Sequence, residues 1–332
     1  MKAIISRTAG GPQTLRFEDV EVPSPQAGEV LVEVAACGVN YPDALIIEDK
    51  YQFKPERPFS PGSEIAGTIE CAGSGVANLQ PGMRVLAPVG WGGMAEKLVL
   101  PAERCIVIPD AMPFEEAASF LMTYGTSYYA LKDRGHLQPG DVLLVLGAAG
   151  GVGSAAVELG KAMGARVIAA ASSEDKVAFA KSCGADEGLI YPSGPFDKES
   201  IKKLASLFRS ACGKDGPNVI YDAVGGDYSE AALRAIAWEG RLLVIGFPAG
   251  IPRMPLNLAL LKGCGIEGVF WGDFARRSPK ANAENVAALF KLYERGAIRP
   301  RISKRFPLAQ SGDAIAWLSS RKALGKVVVT VE

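Results

Sequence analysis

The chain has few of the residue types that build metal centres and disulfide frameworks. Its single histidine, His136, lies in a polar turn, where an imidazole is far more often a surface group than a ligand. The six cysteines are scattered and form no CxxC pair, which predicts reduced thiols in a cytosolic protein. These residues therefore do not indicate a metal centre.

The chain also has no net charge and no long apolar run. Lys+Arg and Asp+Glu each number 36, so the formal net charge is zero, whereas nucleic-acid binders normally carry a basic surplus. No apolar run approaches the roughly 18–20 residues that span a bilayer. The opening segment MKAIISRTAGG is typical of an edge strand and not of a signal peptide. We therefore expect a cytoplasmic globular protein without nucleic-acid or membrane partners.

Turn residues and short β-branched runs dominate the first hundred residues. EVLVEVAACGV, EIAGTIECAG and MRVLAP alternate or cluster apolar residues as strands do. Pro-Gly pairs at 61–62 and 81–82 separate them, as turns between strands require. This region is predicted to be a β-rich, barrel-like domain.

From Pro113 the pattern changes to a helix, PFEEAASFLMTYGTSYYALK, and then to alternating strands and helices. DVLLVLG, ARVIAAAS, NVIYDAV and RLLVIGF are continuous apolar runs, as in parallel sheets covered on both faces. The sequence thus predicts an α/β fold with a Rossmann-type doubly wound parallel sheet. We expect residues 1–122 and 267–332 to form one domain around a nucleotide-binding insertion, 123–266.

A glycine-rich loop, GAAGGVG at 147–153, joins the first of these strands to its helix. Gly150 lies where backbone must approach a pyrophosphate closely, and Gly153 lies where the helix packs tightly on the strand. Ala148 departs from the usual fingerprint, and a tight turn without a ligand is the alternative. The strand before the loop and the helix after it favour a dinucleotide site that includes Gly150, Gly151 and Val152.

The end of the second strand bears on the choice between NAD and NADP. Ala171 occupies the position where an acidic residue would bind the ribose 2′-hydroxyl. Ser172, Ser173 and Lys176 follow, and hydroxyls with an ammonium suit a 2′-phosphate better. The acidic pair at 174–175 complicates this interpretation unless it faces solvent, and Lys176 is alternatively an ordinary exposed lysine. On balance these residues favour NADPH.

Four segments together resemble the medium-chain dehydrogenase/reductase superfamily, in its quinone oxidoreductase (zeta-crystallin-like) branch. The resemblance covers nearly the whole chain and implies a GroES-like catalytic domain beside the Rossmann domain. It is carried by ACGVNYPDALIIEDKY (36–51), PFSPGSEIAGTIECAGSGV (58–76), GDVLLVLGAAGGVGSAAVELGKAMGARVIA (140–169) and GKVVVTV (325–331).

The zinc ligands of the superfamily's alcohol dehydrogenases have no counterparts here. Asn40 stands at the cysteine position and Ser63 at the histidine position, and neither side chain replaces a thiolate or an imidazole. The cysteine-rich structural-zinc loop is absent as well, and Cys37 alone does not make a metal centre. We therefore expect a zinc-independent member of the superfamily.

Without a Lewis acid, an electron-poor acceptor is the natural substrate, because it carries the incoming charge on its own oxygen. The resemblance implies an NADPH-dependent quinone reductase with Asn40, Asp43 and Tyr51 at its catalytic site. Tyr51 is expected to hydrogen-bond or stack with the acceptor, and Asn40 to lie near the nicotinamide ribose. Alternatively, Asn40 only caps a turn and Tyr51 is a packed aromatic. Leu45 replaces a second tyrosine common in the branch, which makes the pocket more apolar.

The resemblance also implies further cofactor contacts and a homodimer. The aromatic stretch that contains Phe270 and Trp271 is alternatively a core or subunit-interface strand. The implied contacts are Thr126, Tyr191, Val224, Gly246, Phe247, Phe270, Trp271 and Lys326.

Two other functions remain open at the sequence level. The first is an enone or enoyl-thioester reductase that uses the same hydride geometry. The second is an NADPH-binding protein with a structural or RNA-binding role, although zero net charge disfavours RNA.

Overall fold

A computed structural model describes residues 1–331, which divide into two compact units. The first comprises Met1–Met122 and the segment that begins at Pro300, and the second comprises Thr123–Arg299. The sequence places the second boundary at 266/267, whereas the units of the structure separate at 299/300.

Residues 267–299 belong to the second unit because their partners lie there. Arg134 pairs with Glu267 at 2.5 Å, and Lys132 donates a hydrogen bond of 2.8 Å to Asn285. The strand that contains Glu267 also extends the parallel sheet of this unit. None of these long-range pairings is visible in the local sequence pattern.

The strands follow one another in chain order through both units. They are β1 (Lys2–Ile5), β2 (Arg16–Asp19), β3 (Glu29–Val39), β4 (Glu64–Ala72), β5 (Arg84–Pro88), β6 (Lys97–Pro101), β7 (Ile106–Val107), β8 (Val142–Leu146), β9 (Arg166–Ala171), β10 (Glu187–Ile190), β11 (Val219–Asp222), β12 (Arg241–Val244), β13 (Gly265–Gly268), β14 (Ile302–Pro307) and β15 (Lys326–Thr330).

The helices are mostly in the second unit, and π-helical turns at Leu121–Gly125 and Tyr129–Arg134 flank one of them. They are α1 (Tyr41–Ile47), α2 (Phe114–Ala117), α3 (Thr126–Tyr128), α4 (Gly151–Ala162), α5 (Glu174–Ser182), α6 (Lys198–Cys212), α7 (Asp227–Ala235), α8 (Asn257–Lys262), α9 (Trp271–Arg277), α10 (Pro279–Glu294) and α11 (Ser311–Ser319). No helix within residues 1–331 has the length and apolar composition that crossing a bilayer requires.

The first unit is β-rich, as the sequence predicts. Its larger sheet has the order β14-β15-β3-β4-β5-β7, with β6 also paired to β3, and β1 pairs with β2 in a separate ribbon. Alternate residues of β3 and β15, such as Val34 and Val327, are buried in one core with Ile315 of α11. Each such side chain contributes about 1.5–3 kcal/mol on burial. This core fixes the ends of β3, β4 and β15, where polar side chains meet.

The second unit is a parallel sheet of order β10-β9-β8-β11-β12-β13. Its central strands are buried along their length, which explains their uninterrupted apolar sequences. The strand order reverses at β8, and ligands of such sheets bind outside the carboxyl ends of the strands at this point. The predicted α/β fold with a doubly wound parallel sheet is thus confirmed. None of the six cysteines, all of which lie within residues 1–331, forms a disulfide bond.

Candidate active site

The glycine-rich loop forms the turn between β8 and α4. The left-handed backbone conformation falls on Gly147, with φ of +73°, so Ala148 is tolerated and its side chain is fully buried. The amides of Gly147 and Ala148 donate to the carbonyl of Ala170 at 3.0 and 3.2 Å, which anchors the loop on β9. The departure from the usual fingerprint therefore leaves the turn intact.

Two glycines of the loop have different steric roles. A Cβ on Gly153 would lie 2.1 Å from the Gly147 carbonyl oxygen, so α4 contacts the turn directly at that point. A Cβ on Gly150 would lie 3.5 Å from the same oxygen, an ordinary contact. The first N–H groups of α4, beginning at Gly151, have no acceptor within the helix. This bare backbone at a helix N-terminus fits a pyrophosphate.

A buried pair of hydroxyl groups holds the loop at the start of α4. No local sequence pattern indicates this pair. Ser127, next to Thr126 in α3, donates to the Val152 carbonyl at 3.0 Å and lies 2.8 Å from the Tyr221 hydroxyl. Burial raises the pKa of Tyr221, so the phenol stays protonated. The pair fixes the first turn of α4.

Of the predicted 2′-phosphate residues, Ser172, Ser173 and Lys176 lie together after β9, and Tyr191 follows the neighbouring strand β10. Lys176 donates to the Ser172 hydroxyl at 2.9 Å, and the Tyr191 amide donates to the Ala171 carbonyl at 2.9 Å. Ser173 is the N-cap of α5. The acidic pair, Glu174 and Asp175, lies exposed in the first turn of α5, where carboxylates interact favourably with the helix dipole.

The loop after β11 borders the glycine turn, and the loop after β12 contacts that loop in turn. A Cβ on Gly147 would lie 3.1 Å from Val224 Cγ2, so Val224 borders the turn directly. Asp222 holds this loop by accepting hydrogen bonds from the Val224 and Gly225 amides at 3.0 and 2.9 Å. The sequence signal for this loop is an acid at the end of an apolar strand, followed by a pair of glycines in DAVGG. The carbonyl of Val224 accepts from Ala249, in the loop that contains Gly246 and Phe247.

The two aromatic residues after β13 differ in exposure. Phe270 is 46% exposed, whereas Trp271 is 5% exposed and begins α9. Trp271 lies against Gly125, where a Cβ would be 2.9 Å from its Cε2 atom, and its indole N–H donates to Asn282 at 3.0 Å. In the second unit Trp271 is therefore a packed side chain.

In the first unit, the predicted residues Asn40, Asp43 and Lys326 form one buried polar cluster. Asn40 is the N-cap of α1, and its backbone N–H donates to Asp43 Oδ2 at 2.7 Å. Lys326 Nζ donates to Asn40 Oδ1 at 2.7 Å and to the Val39 carbonyl at 3.2 Å. Asn40 therefore does more than cap a helix. Its side chain also links β3 to β15.

Burial dominates the electrostatics of this cluster. It raises the pKa of Asp43 to about 6, and Asp43 Oδ1 has no hydrogen-bond partner within the described residues. Burial likewise raises the pKa of Glu64 to about 6, while the Lys326 ammonium acts in the opposite direction. Burial lowers the pKa of Lys326, against the attraction of these carboxylates. The Lys326 ammonium is thus buried together with the carboxyl groups of Asp43 and Glu64.

Tyr51 lies beyond the end of α1 and packs partly against the core of the first unit. Its ring meets Phe53 edge-on, with centroids 5.9 Å apart. Burial raises the pKa of its phenol, with the Asp43 carboxylate adding to the effect, so the hydroxyl remains a proton-bearing donor. Leu45, at the position of the missing tyrosine, is half-buried on α1.

Known proteins are similar to this chain in sequence. Residues 26–110 match the family model described as alcohol dehydrogenase GroES-like domain, and residues 151–289 match that described as zinc-binding dehydrogenase. The chain is 38% identical to quinone oxidoreductase-like protein 2 homolog of Nematostella vectensis, over 92% of this chain and 82% of that protein. It is 34% identical to quinone oxidoreductase of Pseudomonas aeruginosa, over 96% of each chain.

A solved structure has a similar fold. A mycobacterial protein complexed with NADPH superposes with a TM-score of 0.91 and 32% identity, over 99% of this chain and 100% of the other. The chain therefore belongs to the quinone oxidoreductase branch of the medium-chain dehydrogenase/reductase superfamily.

Proposed function

We propose that the protein is a zinc-independent, NADPH-dependent quinone reductase. The observation that carries the proposal is the group of cofactor residues in the second unit, where a bare helix N-terminus and the Lys176–Ser172 pair offer two separate phosphate sites. The relative solved with NADPH, similar over almost its whole length, supports the same cofactor.

The residues fit the two phosphate groups of NADPH in different ways. The N–H groups that begin α4 suit the pyrophosphate, because its negative charge would lie at the positive end of the helix dipole. Lys176, Ser172 and Ser173 suit the 2′-phosphate, and Tyr191, whose backbone N–H donates to the Ala171 carbonyl, is proposed to complete that site. Thr126, Val224, Gly246, Phe247 and Phe270 are proposed to border the rest of the cofactor.

The donor set argues against catalytic zinc. An amide and a hydroxyl, Asn40 and Ser63, stand at the ligand positions, and the Lys326 ammonium lies 2.7 Å from Asn40 Oδ1. Zinc prefers thiolate and imidazole ligands, and a buried ammonium repels a dication. The residues therefore do not fit the metal that the second family model's description implies.

Without a metal to stabilise an alkoxide, the chain suits acceptors that delocalise charge themselves. Bound NADPH supplies the hydride. We propose that Tyr51, which keeps its proton because burial raises its pKa, donates a hydrogen bond to the acceptor oxygen. Asp43 fixes the start of α1 by accepting the Asn40 backbone N–H, which holds the backbone of Asn40 where its side chain is proposed to meet the nicotinamide ribose.

An enone or enoyl-thioester reductase is the second candidate, because Leu45 makes the acceptor pocket more apolar than a tyrosine would. Steady-state kinetics with a small quinone, a short-chain enone and an enoyl thioester would separate the two. A higher kcat/KM for the quinone supports the first proposal. NADPH oxidation with the enoyl thioester alone would replace it with the second.

The cofactor proposal predicts that Lys176→Ala weakens NADPH binding by about 10- to 100-fold, the value of a charge-assisted hydrogen bond to phosphate. NADH binding should change by less than about 2-fold, because NADH has no 2′-phosphate for the ammonium to meet. Fluorescence titration of both reduced cofactors gives the two dissociation constants. Lys181→Ala, at the exposed end of the same helix, is the matched control. Equal losses for NADPH and NADH would remove Lys176 from the 2′-phosphate site.

We also propose that the protein is a homodimer formed through the β13 edge of the second unit. β13 pairs with β12 on one side only, and it ends the sheet. Leucines of α8 and the residue before it stand out nearby, with Leu256 69%, Leu260 80% and Leu261 66% exposed. Apolar groups so exposed beside a sheet edge favour pairing with a second copy.

Leu260→Asp is therefore expected to raise the dimer dissociation constant by about 100-fold, because it places a carboxylate in the apolar centre of the interface. Analytical ultracentrifugation over a concentration series measures this constant. Leu207→Asp, on the exposed face of α6, should leave the assembly unchanged. A dimer that survives Leu260→Asp unaltered would place the interface elsewhere.

A further inference from the structure

Glu64 is a buried acid to which neither the sequence analysis nor the proposed function assigns a role. It opens β4 and is fully buried, with no exposed surface. Its Oε1 atom accepts the Met122 amide N–H at 2.9 Å, which anchors one side of the carboxylate. A fully buried carboxylate is costly unless charge and hydrogen bonds compensate for it.

The other oxygen of the carboxylate interacts with the Asn40 side-chain amide in two ways, directly and through Lys326. Glu64 Oε2 lies 3.5 Å from Asn40 Nδ2, at the limit of a direct hydrogen bond. The same oxygen lies 3.9 Å from Lys326 Nζ, and this ammonium donates to Asn40 Oδ1 at 2.7 Å. Glu64 thus acts on the donor end of the amide directly and on its acceptor end through Lys326.

The backbone of β3 leaves space for this arrangement only because residue 38 is glycine. A Cβ on Gly38 would lie 1.8 Å from the Ala118 carbonyl oxygen and 3.3 Å from Glu64 Oε2. The Gly38 carbonyl in turn accepts from Asn40 Nδ2 at 3.1 Å. Strand, carboxylate and amide are therefore in close contact, and any larger side chain at position 38 would displace them.

We propose that Glu64 is a positioning residue for hydride transfer, which holds the Asn40 amide in a single orientation through Lys326 and through its own Oε2 atom. The inference rests on the proposed function, in which Asn40 meets the nicotinamide ribose. With Oδ1 turned to the ammonium, Asn40 keeps one lone pair of that oxygen for a ribose hydroxyl. A flipped amide would present N–H groups to Lys326 and lose this acceptor.

Glu64→Gln tests the proposal because it keeps the size of the side chain and an acceptor for the Met122 amide while removing the charge. At saturating NADPH we expect kcat to fall by about 10- to 100-fold, as for a displaced catalytic contact. The NADPH dissociation constant should rise by about 3- to 10-fold, because the ribose hydroxyl loses its acceptor, while KM for the acceptor changes by less than about 3-fold. Expressing kcat per NADPH-binding site removes any contribution from unfolded protein. A kcat within 2-fold of wild type would overturn the proposal.

The control is Glu96→Gln in the same unit. Glu96 also accepts a backbone N–H, from Lys2 at 2.7 Å, but it has no part in the cluster. Its substitution should leave kcat and KM unchanged. Should Glu64→Gln fail to fold, Glu64→Asp keeps the charge but draws it back from Lys326, and the same fall in kcat is expected to a lesser degree.

A second readout does not depend on turnover. In protein labelled with 15N-asparagine, the side-chain amide resonances of Asn40 are assigned from their loss in Asn40→Asp. They should move and broaden in Glu64→Gln but not in Glu96→Gln. Unmoved resonances in Glu64→Gln would refute the positioning role. If the Asn40 resonances respond to Glu64→Gln in this way but the wild-type protein shows no turnover with NADPH, the proposed function fails and the positioning of Asn40 stands.

Discussion

Replacing Gly153 with alanine is expected to abolish detectable NADPH binding and to lower the free energy of unfolding of the second unit by about 3 kcal/mol. The added Cβ would lie 2.1 Å from the Gly147 carbonyl oxygen and 2.9 Å from Ala148 Cα. Both are backbone atoms, so no side-chain rotation relieves the overlap. The turn must move away from α4, and the N–H groups proposed to hold the pyrophosphate move with it.

Gly150→Ala is the matched variant in the same loop. Its Cβ would lie 3.5 Å from the Gly147 oxygen, and Gly150 has φ of −77° and ψ of 172°, which alanine adopts without strain. The fold should therefore keep its melting temperature, while the methyl group obstructs the close approach of a phosphate. Gly153→Ala should instead lower the melting temperature by about 10 °C.

Calorimetry and NADPH fluorescence titration together separate the steric effect on the fold from that on the ligand. Loss of affinity without loss of stability in Gly150→Ala would support the pyrophosphate site. If Gly150→Ala bound NADPH as tightly as wild type, the cofactor phosphates would have to lie elsewhere.

The parallel sheet was predictable because its signal is local. Each buried strand contains an apolar run of three to five residues, and the helices between them carry their own apolar faces. The glycine turn was predictable for the same reason, since its function depends on backbone between two neighbouring elements. α6 has an equally local signal, because Asp197 is its N-cap and accepts the Ser200 backbone N–H.

Glu64 and Ser127 were not predictable from any local pattern. Glu64 is one acid at the start of an apolar strand, and its partner Lys326 lies 262 positions along the chain. Ser127 supports Val152 through a contact between helices. Such residues become recognisable only when packing removes water and leaves each polar atom dependent on a distant partner.

The second largest effect is expected at Lys326. Methionine matches the length of the lysine side chain but carries no charge, so Lys326→Met leaves the carboxylates of Glu64 and Asp43 buried without a cation. Removing one partner of a buried ion pair costs about 3–5 kcal/mol. At pH 8 we therefore expect the first unit to lose about that free energy of unfolding, equivalent to a fall in melting temperature of about 10 °C.

The loss should depend on pH in a defined direction. In the folded protein the pKa of both carboxyls is about 6, above the ordinary values of 4.5 for Glu64 and 3.8 for Asp43. Protons are therefore held more tightly in the folded state, and the stability they contribute is lost as pH rises through about 6. Wild-type protein offsets this with the Lys326 ammonium, whereas the variant has no cation and its carboxyl pKa values rise further.

The difference in melting temperature between wild type and Lys326→Met should thus be small at pH 5 and large at pH 8. Calorimetry at a series of pH values measures it, with Lys322→Met, an exposed lysine nearby in the chain, as the control without effect. A difference that is the same at both pH values would mean that the variant suffers from lost packing, because within the cluster it is the two carboxyls that change charge across that range. A difference that grows with pH would show that the ammonium compensates the two buried acids, as the 2.7 Å contact with Asn40 and the 3.9 Å approach to Glu64 indicate.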